Sequence, residues 1–284
     1  MTLIPTSVRL SVARKITRRM LKGPLSRSSD LYRKGKGFFP GGPDSITYIP
    51  ENDLVLLKQN EIELFVARPS RLRYQLAGLQ KRRRNLLDEY LVPEGLIRPN
   101  DYVIDIGANI GEFSLAMAAM GASVTSFEPD PTEFRALLAN ADGHPTIVPR
   151  NVALWNDDAK LTFFDANDTG DSSLFDPGRA TQTLEVPARR LDTLAAEGIE
   201  SSSVRLIKLE AEGAEPEIID GAVHTLRRTD YVTVDMGPER GLSQANTVAE
   251  VVRKLTRIGF ELTSFSTKRT VGLFENIRRT KELG

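Results

Sequence analysis

From residue 99 onward, short apolar runs alternate with segments whose apolar residues recur every three to four positions. The first pattern predicts buried strands and the second predicts amphipathic helices. In chain order the predicted elements are strand 102–106, helix 112–120, strand 123–128, helix 131–141, strand 146–149, strands near 160–164 and 184–189, helix 191–197, strand 204–210, helix 214–226, strand 230–235, helix 243–258 and a hairpin over 260–275. This alternation predicts an α/β domain with a seven-stranded sheet.

The residues before this domain carry a weaker pattern. Apolar stretches over 54–67 predict one or two strands, and 71–91 predicts a helix with a basic surface. We expect these elements to form a cap over a ligand crevice of the α/β domain. Arg71, Arg73 and Tyr74 either line the entrance of that crevice or form a solvated helix face. Farther along, a polar loop at 168–174 is either a mobile lid or an ordinary turn.

The formal net charge of zero hides an uneven distribution of charge along the chain. Residues 1–37 contain ten Lys or Arg and a single acid, Asp30, so the rest of the chain is correspondingly acidic. Such a basic arm can lie on an anionic membrane, bind nucleic acid or remain a solvated tail. The glycines and prolines of 35–50 are typical of a linker. We therefore divide the chain into a basic arm over 1–37, a linker and cap over 38–98, and a core domain over 99–284.

The segment 105–112, with the sequence DIGANIGE, joins a predicted strand to a predicted helix. Gly107 and Gly111 allow the backbone to turn sharply and to approach a ligand closely. The N-terminus of the following helix points its free N–H groups into the crevice at the carboxyl end of the sheet, where open α/β sheets bind nucleotides. Glu128 lies 21 residues beyond Gly107, a distance typical of an acid that binds a ribose hydroxyl. The pattern predicts an adenosine-containing cofactor.

The details of this turn favour S-adenosyl-L-methionine over a dinucleotide. A dinucleotide site has the pattern G-x-G-x-x-G, whereas Asn109 and Glu112 stand here where its second and third glycines would be. A carboxylate at Asp105 suits an ammonium and a sulfonium group better than two phosphates. The alternatives are NAD or an ordinary turn without a ligand. The candidate cofactor-binding residues are Asp105, Gly107, Ala108, Asn109, Gly111, Glu128, Pro129, and, after the third strand where the adenine is expected, Asn151 and Ala153.

Three segments, 105–111, 127–130 and 207–215, resemble the FkbM family of S-adenosylmethionine-dependent methyltransferases, and the resemblance covers roughly residues 64 to 265. It implies an O-methyltransferase, often acting on sugar or polyketide hydroxyls. It also implies a class I, Rossmann-like, doubly wound fold. One difference is that the family usually has aspartate where this chain has Glu210.

The strand predicted over 204–210 carries charges where a central parallel strand is normally apolar. Because side chains alternate along a strand, we expect Lys208, Glu210 and Glu212 to share one face. Buried charges are costly unless they serve a ligand or one another. One reading is therefore a Lys208–Glu210 ion pair that serves only the fold. The other is a catalytic group.

In the catalytic reading, a hydroxyl oxygen of the methyl acceptor attacks the sulfonium methyl group, and a base removes the hydroxyl proton. Two neighbouring carboxylates raise one another's pKa, so we expect Glu210 or Glu212 to be the base and Lys208 to orient either that base or the substrate oxygen. Asp235, at the end of the next predicted strand, is a second candidate. It could equally cap a turn.

The composition excludes several kinds of site. Without cysteine there is no disulfide, thiolate nucleophile or cysteine zinc site, and a cytoplasmic location is expected. Two histidines do not support a histidine metal centre or a catalytic triad. No apolar run approaches the roughly 18 residues of a membrane span. Carboxylates alone can hold magnesium, but no spacing in the sequence calls for a metal.

The leading hypothesis is an S-adenosylmethionine-dependent O-methyltransferase for a hydroxyl of a sugar, glycolipid or secondary metabolite, with peripheral membrane contact through residues 1–37 as one role for the arm. A first alternative is an RNA methyltransferase that uses the arm. It ranks lower because the chain lacks the interleaved aromatics of a base-stacking surface. A second alternative is a non-catalytic cofactor-binding adaptor. An NAD oxidoreductase ranks last because no Tyr-x-x-x-Lys motif is present.

Overall fold

The computed structural model describes residues 6–165, 172–176, 178, 180, 182–198 and 203–280. Residues 168–171 of the predicted polar loop lie outside this set. In chain order, the N-terminal part contains two helices, then the three strands of a small sheet, and then two more helices. Short 3-10 turns lie at Lys36–Phe38 and Pro69–Arg71. Its elements are α1 (Thr6–Leu21), α2 (Leu25–Gly35), β1 (Ser45–Ile49), β2 (Leu54–Gln59), β3 (Ile62–Val66), α3 (Leu72–Gln75) and α4 (Leu79–Glu89).

Helix α2 packs on the small sheet and α1 packs on α2, which differs from the solvated tail that we considered for the basic arm. Met20, Leu25 and Tyr32 are buried in one cluster with residues of the sheet. The Tyr32 hydroxyl donates a hydrogen bond to the carbonyl oxygen of Pro43 at 2.7 Å. Of the apolar residues of α1 that alternate with the basic ones, Met20 is thus covered by the fold, whereas Val8 and Leu10 are 48% and 52% exposed.

Part of the segment expected to be a linker, residues 35–50, is a strand. β1 pairs antiparallel with β2 along its whole length. Ile46 is buried, and its carbonyl oxygen accepts a hydrogen bond from Ser29 Oγ at 2.8 Å. Tertiary contacts with α2 thus override the glycine- and proline-rich composition of the surrounding segment.

The strands predicted over 54–67 are confirmed as β2 and β3, but the helix predicted over 71–91 is interrupted between α3 and α4. The break lies at Gly78, whose φ is +110°. A Cβ at this position would lie 2.3 Å from the carbonyl oxygen of Gly41, so only glycine fits where the two turns meet.

The rest of the chain forms a large sheet flanked by helices and a second small sheet of order β7-β9-β8. Within the described residues, no helix combines the length and hydropathy of a membrane span. The elements are β4 (Tyr102–Ile106), α5 (Glu112–Ala118), β5 (Ser123–Phe127), α6 (Pro131–Ala141), β6 (Ile147–Arg150), β7 (Ala153–Leu154), β8 (Ala159–Asp165), β9 (Gln182–Arg189), α7 (Leu191–Ala196), β10 (Val204–Leu209), α8 (Glu215–Asp220), α9 (Val223–Arg227), β11 (Thr229–Asp235), α10 (Val248–Ile258), β12 (Phe260–Ser266), β13 (Val271–Asn276) and α11 (Ile277–Thr280).

The large sheet has seven strands in the order β12-β13-β11-β10-β4-β5-β6. The strands from β11 to β6 in this order are parallel, whereas β13 is antiparallel to both of its neighbours. The chain runs outward from β4 to β6 in one direction and from β10 to β11 in the other. The sheet is therefore doubly wound, as expected, and its switch point lies between β4 and β10, where such sheets bind ligands.

A side-chain amide joins the N-terminal sheet to the core domain. Asn140 of α6 accepts a hydrogen bond from the Phe65 N–H at 2.7 Å and donates one to the Phe65 carbonyl oxygen at 2.9 Å. Its Nδ2 also donates to the carbonyl oxygen of Ile110 at 2.7 Å. One buried amide thus links β3 of the cap to the turn that precedes α5.

A buried ion cluster makes a second joint between cap and core. Arg68, which follows β3, is 3% exposed and places its guanidinium 2.7 Å from Asp130 Oδ2, 3.2 Å from Glu133 Oε1 and 2.9 Å from Asp165 Oδ1. The carboxylates come from the start of α6 and the end of β8. Because these carboxylates are buried as well, their charges need compensation, which Arg68 supplies to all three and Arg71, 3.7 Å from Glu133 Oε1, supplies to Glu133 in addition.

Replacing Arg68 with alanine should therefore destabilise the fold strongly. Removal of one partner leaves uncompensated buried charges, and we expect a loss of about 3–5 kcal/mol in the free energy of unfolding. Urea unfolding measures it. Arg33→Ala, which removes an exposed pair with Asp30, is the matched control and should change the free energy by less than about 0.5 kcal/mol. Equal midpoints for the two variants would contradict this assignment.

Candidate active site

A cavity of about 390 Å³ lies at the carboxyl ends of β4, β5 and β10, beneath α3 and α4 of the cap. Six of the predicted cofactor-binding residues and three of the predicted catalytic residues line it: Gly107, Ala108, Asn109, Glu128, Pro129, Ala153, Lys208, Glu210 and Glu212. Arg71, Arg73 and Tyr74 line it too, in agreement with the entrance reading of the cap helix. The structure places Asp105, Gly111, Asn151 and Asp235 behind the lining.

The glycine turn brings two strands into close contact. Gly107 has a φ of +69°, and a Cβ at this position would lie 1.8 Å from the carbonyl oxygen of Glu210. Gly111, with a φ of +86°, leaves room for Leu137 of α6. Both glycines are thus required by the protein's own packing, whether or not a ligand is near.

Glu128 organises the loop opposite this turn. Its carboxylate accepts hydrogen bonds from the N–H groups of Asn109 at 2.7 Å and Asp130 at 2.8 Å. Burial, with a further contribution from the charge of Asp130, raises the pKa of Glu128 to about 8. Asn151 donates to the carbonyl oxygens of Glu128 and Pro129, so its amide holds this loop instead of facing the cavity as we expected.

Asp105 does not face the cavity either. It is fully buried, accepts a hydrogen bond from Ser114 Oγ at 2.6 Å, and lies 3.2 Å from Lys208 Nζ. The expectation that this carboxylate lies beside the cofactor is therefore corrected. The side chain alternation of β4 points it into the helix layer, where it fixes the position of a lysine that does line the cavity.

Lys208 is the buried cation at the centre of the site. Its Nζ donates to the carbonyl oxygen of Gly107 at 2.6 Å and lies 3.2 Å from both Asp105 Oδ1 and Glu210 Oε2. Burial alone lowers the pKa of Lys208, but the charges of Asp105 and Glu210 outweigh burial and the net shift is upward. The ion pair that we considered between Lys208 and Glu210 is present.

Glu210 is a strongly ionised carboxylate, in contrast to the expectation for a base. It accepts a hydrogen bond from the Tyr90 hydroxyl and pairs with Lys208 and, at 2.7 Å, with Arg269. Burial alone raises the pKa of Glu210, but Lys208 and Arg269 lower it to about 2. Our expectation that a neighbouring carboxylate raises this pKa was wrong, because the charges of Lys208 and Arg269 outweigh burial.

Glu212 and Asp235 also differ from their expected places. β10 ends at Leu209, and Glu212 lies in the following turn with a φ of +50°, so it does not continue the face of Lys208. Asp235 accepts a hydrogen bond from the Gly237 N–H at 3.1 Å and pairs with Arg269 at 2.8 Å. Burial, and then Glu210, raise the pKa of Asp235. The turn-cap reading of Asp235 is therefore present in the structure.

Several lining side chains were not anticipated, among them Tyr90, Arg82, Glu112, Glu239 and Arg269. Glu239 follows β11 by four residues, so its place at the carboxyl edge of the sheet could have been inferred from the chain order. Arg269 lies in the turn between β12 and β13, 59 residues from Glu210. The sequence around a basic residue in a hairpin turn does not predict that its side chain contacts a residue that follows a different strand.

Comparison with known proteins places the chain in a family. Residues 105–262, more than half of the chain, match the methyltransferase FkbM domain. The 2-O-methyltransferase NoeI of Sinorhizobium fredii is 26% identical over 188 residues, which cover 60% of this chain and 76% of NoeI. The hexuronic acid methyltransferase AglP of Haloferax volcanii is 27% identical over 145 residues, which cover 48% of this chain and 56% of AglP.

Two further similarities cover less or are weaker. The 31-O-demethyl-FK506 methyltransferase FkbM of Streptomyces tacrolimicus is 40% identical over 73 residues, which cover 24% of this chain and 28% of that protein. Fibrillarin of Aeropyrum pernix, solved with S-adenosyl-L-methionine, aligns with 66% of this chain and 70% of its own at 14% identity and a TM-score of 0.41. On the domain match, this chain belongs to the FkbM family of S-adenosylmethionine-dependent methyltransferases.

Proposed function

We propose that the chain is an O-methyltransferase that acts on a hydroxyl group of a sugar, glycolipid or secondary metabolite. The observation that carries the proposal is one cavity at the switch point of the sheet, with a nucleotide-type loop on one side and charged side chains on the other. The relatives support the acceptor class, since two of their names specify methylation of an oxygen and a third specifies a hexuronic acid.

The residues of the loop side fit S-adenosylmethionine. A cavity of about 390 Å³ is in the usual size range for a small-molecule site. We propose that the turn from Gly107 to Asn109 and the carboxyl of Glu128 hold the nucleoside and amino-acid parts, and that Ala153 packs on the adenine. Asp105, Gly111 and Asn151 shape this surface from behind. When bound, the cofactor supplies a methyl group on a positively charged sulfur.

The remaining part of the cavity is available to the methyl acceptor. The proposed cofactor residues follow β4, β5 and β6, so the acceptor is expected at the ends of β10 and β11. There Glu210 is held by three partners, and a carboxylate so fixed can accept a hydrogen bond from a hydroxyl group and orient it without removing its proton. We propose Glu210 and Lys208 as positioning residues and Glu212 as a further contact of the methyl acceptor.

The cofactor site predicts a binding defect for Glu128→Ala. Loss of a buried hydrogen-bonding partner costs about 1–3 kcal/mol, so calorimetry should show S-adenosylmethionine affinity falling roughly fivefold to a hundredfold. The control is Glu261→Ala, because Glu261 is exposed and lies outside the cavity lining. Unchanged affinity in Glu128→Ala, with a native circular dichroism spectrum in both variants, would reject this placement of the cofactor.

The proposed reaction predicts which extract fractions become methylated. We expect label from methyl-labelled S-adenosylmethionine to enter glycan, glycolipid or small-molecule fractions as a base-stable ether. Label recovered in RNA would favour the RNA methyltransferase instead. Cofactor binding without transfer to any fraction would favour the non-catalytic adaptor.

We also propose that α1 holds this protein against an anionic membrane from the cytoplasmic side. The helix contains no acid, and Arg14, Lys15 and Arg18 are exposed without ion-pair partners among the residues that the structure describes. Leu10, on the same side of the helix, is 52% exposed. Because the opposite face is buried on the cap, the orientation of these cations is fixed, and each cation near an anionic surface contributes about 1 kcal/mol to binding.

The membrane proposal predicts a charge-dependent partition. The double substitution Arg14→Gln and Arg18→Gln should weaken binding to phosphatidylcholine vesicles containing phosphatidylserine by roughly thirtyfold, as measured by co-sedimentation. Arg33→Gln is the control, since Arg33 is exposed but already paired with Asp30. Equal binding to pure phosphatidylcholine vesicles, or no effect of the double substitution, would exclude this contact.

A further inference from the structure

Glu239 differs from the other carboxylates at the acceptor end of the cavity. Glu210 and Asp235 share Arg269 and have additional hydrogen bonds. Glu239 lines the same cavity, yet it has no hydrogen bond or ion pair with any part of the chain that the structure describes. A carboxyl group with this exposure to a ligand cavity and no protein partner is available to a ligand.

The surroundings of Glu239 are mostly acidic. A Cβ built on Gly237 would lie 3.2 Å from Glu239 Oε1 and 3.3 Å from Asp235 Oδ1, so both carboxyl groups lie close to this glycine. The charges that act on Glu239 come from Asp235 of β11, Glu210 after β10, Glu215 of α8 and Arg269 of the hairpin turn. Burial, and then the three carboxylates, raise the pKa of Glu239 to about 8, against the opposing effect of Arg269.

We propose that Glu239 is the base that takes the proton of the methyl acceptor's hydroxyl group, and that the cationic cofactor shifts it from the protonated to the ionised form on entering the cavity. This inference rests on the proposed O-methyltransferase function. A carboxyl group that is still protonated cannot accept the proton of the hydroxyl group. A positive charge placed in the same partly buried cavity stabilises the carboxylate, so the proton leaves to solvent on cofactor binding.

The protons and electrons of the transfer balance with this assignment. The hydroxyl O–H bond breaks and its proton passes to a carboxylate oxygen of Glu239. The oxygen's electron pair forms the O–C bond, and the electrons of the broken C–S bond stay on sulfur, which becomes neutral. Glu239 is then protonated beside a neutral product, which is the state that its acidic surroundings favour. The base is thus reset by the reaction itself.

Calorimetry with S-adenosylmethionine and S-adenosylhomocysteine tests the inference without any methyl acceptor. The two ligands share the nucleoside and the amino acid, but only the first has a charged sulfur. Titrations at pH 7 in buffers of different ionisation enthalpy give the protons released per bound ligand. We expect S-adenosylmethionine to release up to about one proton more than S-adenosylhomocysteine. Glu128, whose proposed contact is the shared nucleoside, contributes equally to both.

Glu239→Gln should lower this difference between the two ligands by the contribution of Glu239, up to about one proton, while both ligands still bind. Any proton that the ligands' own amino groups exchange is the same in both proteins, so it cancels when the variant is compared with the wild type. Glu261→Gln, at an exposed position outside the cavity lining, should retain the wild-type difference. A proton difference in Glu239→Gln equal to that of the wild type would overturn the assignment and leave the proposed function standing. Absence of binding of either ligand to the wild type would reject the proposed function itself.

A second measurement needs no variant. Because the cation favours the ionised form of Glu239, the ratio of S-adenosylmethionine to S-adenosylhomocysteine affinity should rise with pH below the pKa of about 8 in the free protein. The slope should approach about tenfold per pH unit and flatten above that pKa, where Glu239 is ionised in the free protein as well. Between pH 6 and 9 the affinity ratio should change by roughly a hundredfold at most. A ratio that stays constant over this range would also overturn the assignment.

Discussion

The site depends on one buried ammonium group. Lys208 Nζ joins Asp105 of β4, Glu210 after β10 and the carbonyl oxygen of Gly107. A buried charge without partners costs several kcal/mol. The cluster can therefore form only if β4 and β10 pair in the register that places Asp105 beside Lys208. The same register brings the backbone of Glu210 so close to Gly107 that no side chain fits there. One cation thus fixes both the glycine turn at Gly107 and the position of the charged residues beside it.

Carboxyl groups in this one cavity have very different affinities for protons, and the difference comes from the distribution of a few cations. Lys208 and Arg269 lower the pKa of Glu210 to about 2. Within the described residues, Glu128 and Glu239 form no ion pair, and their pKa values are raised to about 8. Residue type therefore says little about the role of an acid here. The charges nearest to each carboxyl decide whether its pKa lies below or above the usual value.

Local patterns were sufficient for the core of this fold and insufficient for its electrostatics. The apolar runs of β4, β5, β10 and β11 predict parallel strands, and the glycines at 107 and 111 predict the turn. No local sequence pattern reveals that Arg269 reaches Glu210, and for this reason the direction that we expected for the pKa shift of Glu210 was wrong. The helix predicted over 71–91 failed for a similar reason. Position 78 requires glycine because the carbonyl oxygen of Gly41 lies close to it, and this contact exists only in the folded chain.

The amide of Asn140 has a consequence for solubility. A side-chain amide carries the same donor and acceptor as a peptide group, and here it occupies both hydrogen-bonding groups of Phe65 on the outer side of β3. An unpaired outer strand is a template on which another polypeptide can add, and a helix that supplies a substitute for a peptide bond blocks that template. Asn140 therefore protects the small sheet from intermolecular strand addition and from the aggregation that follows it.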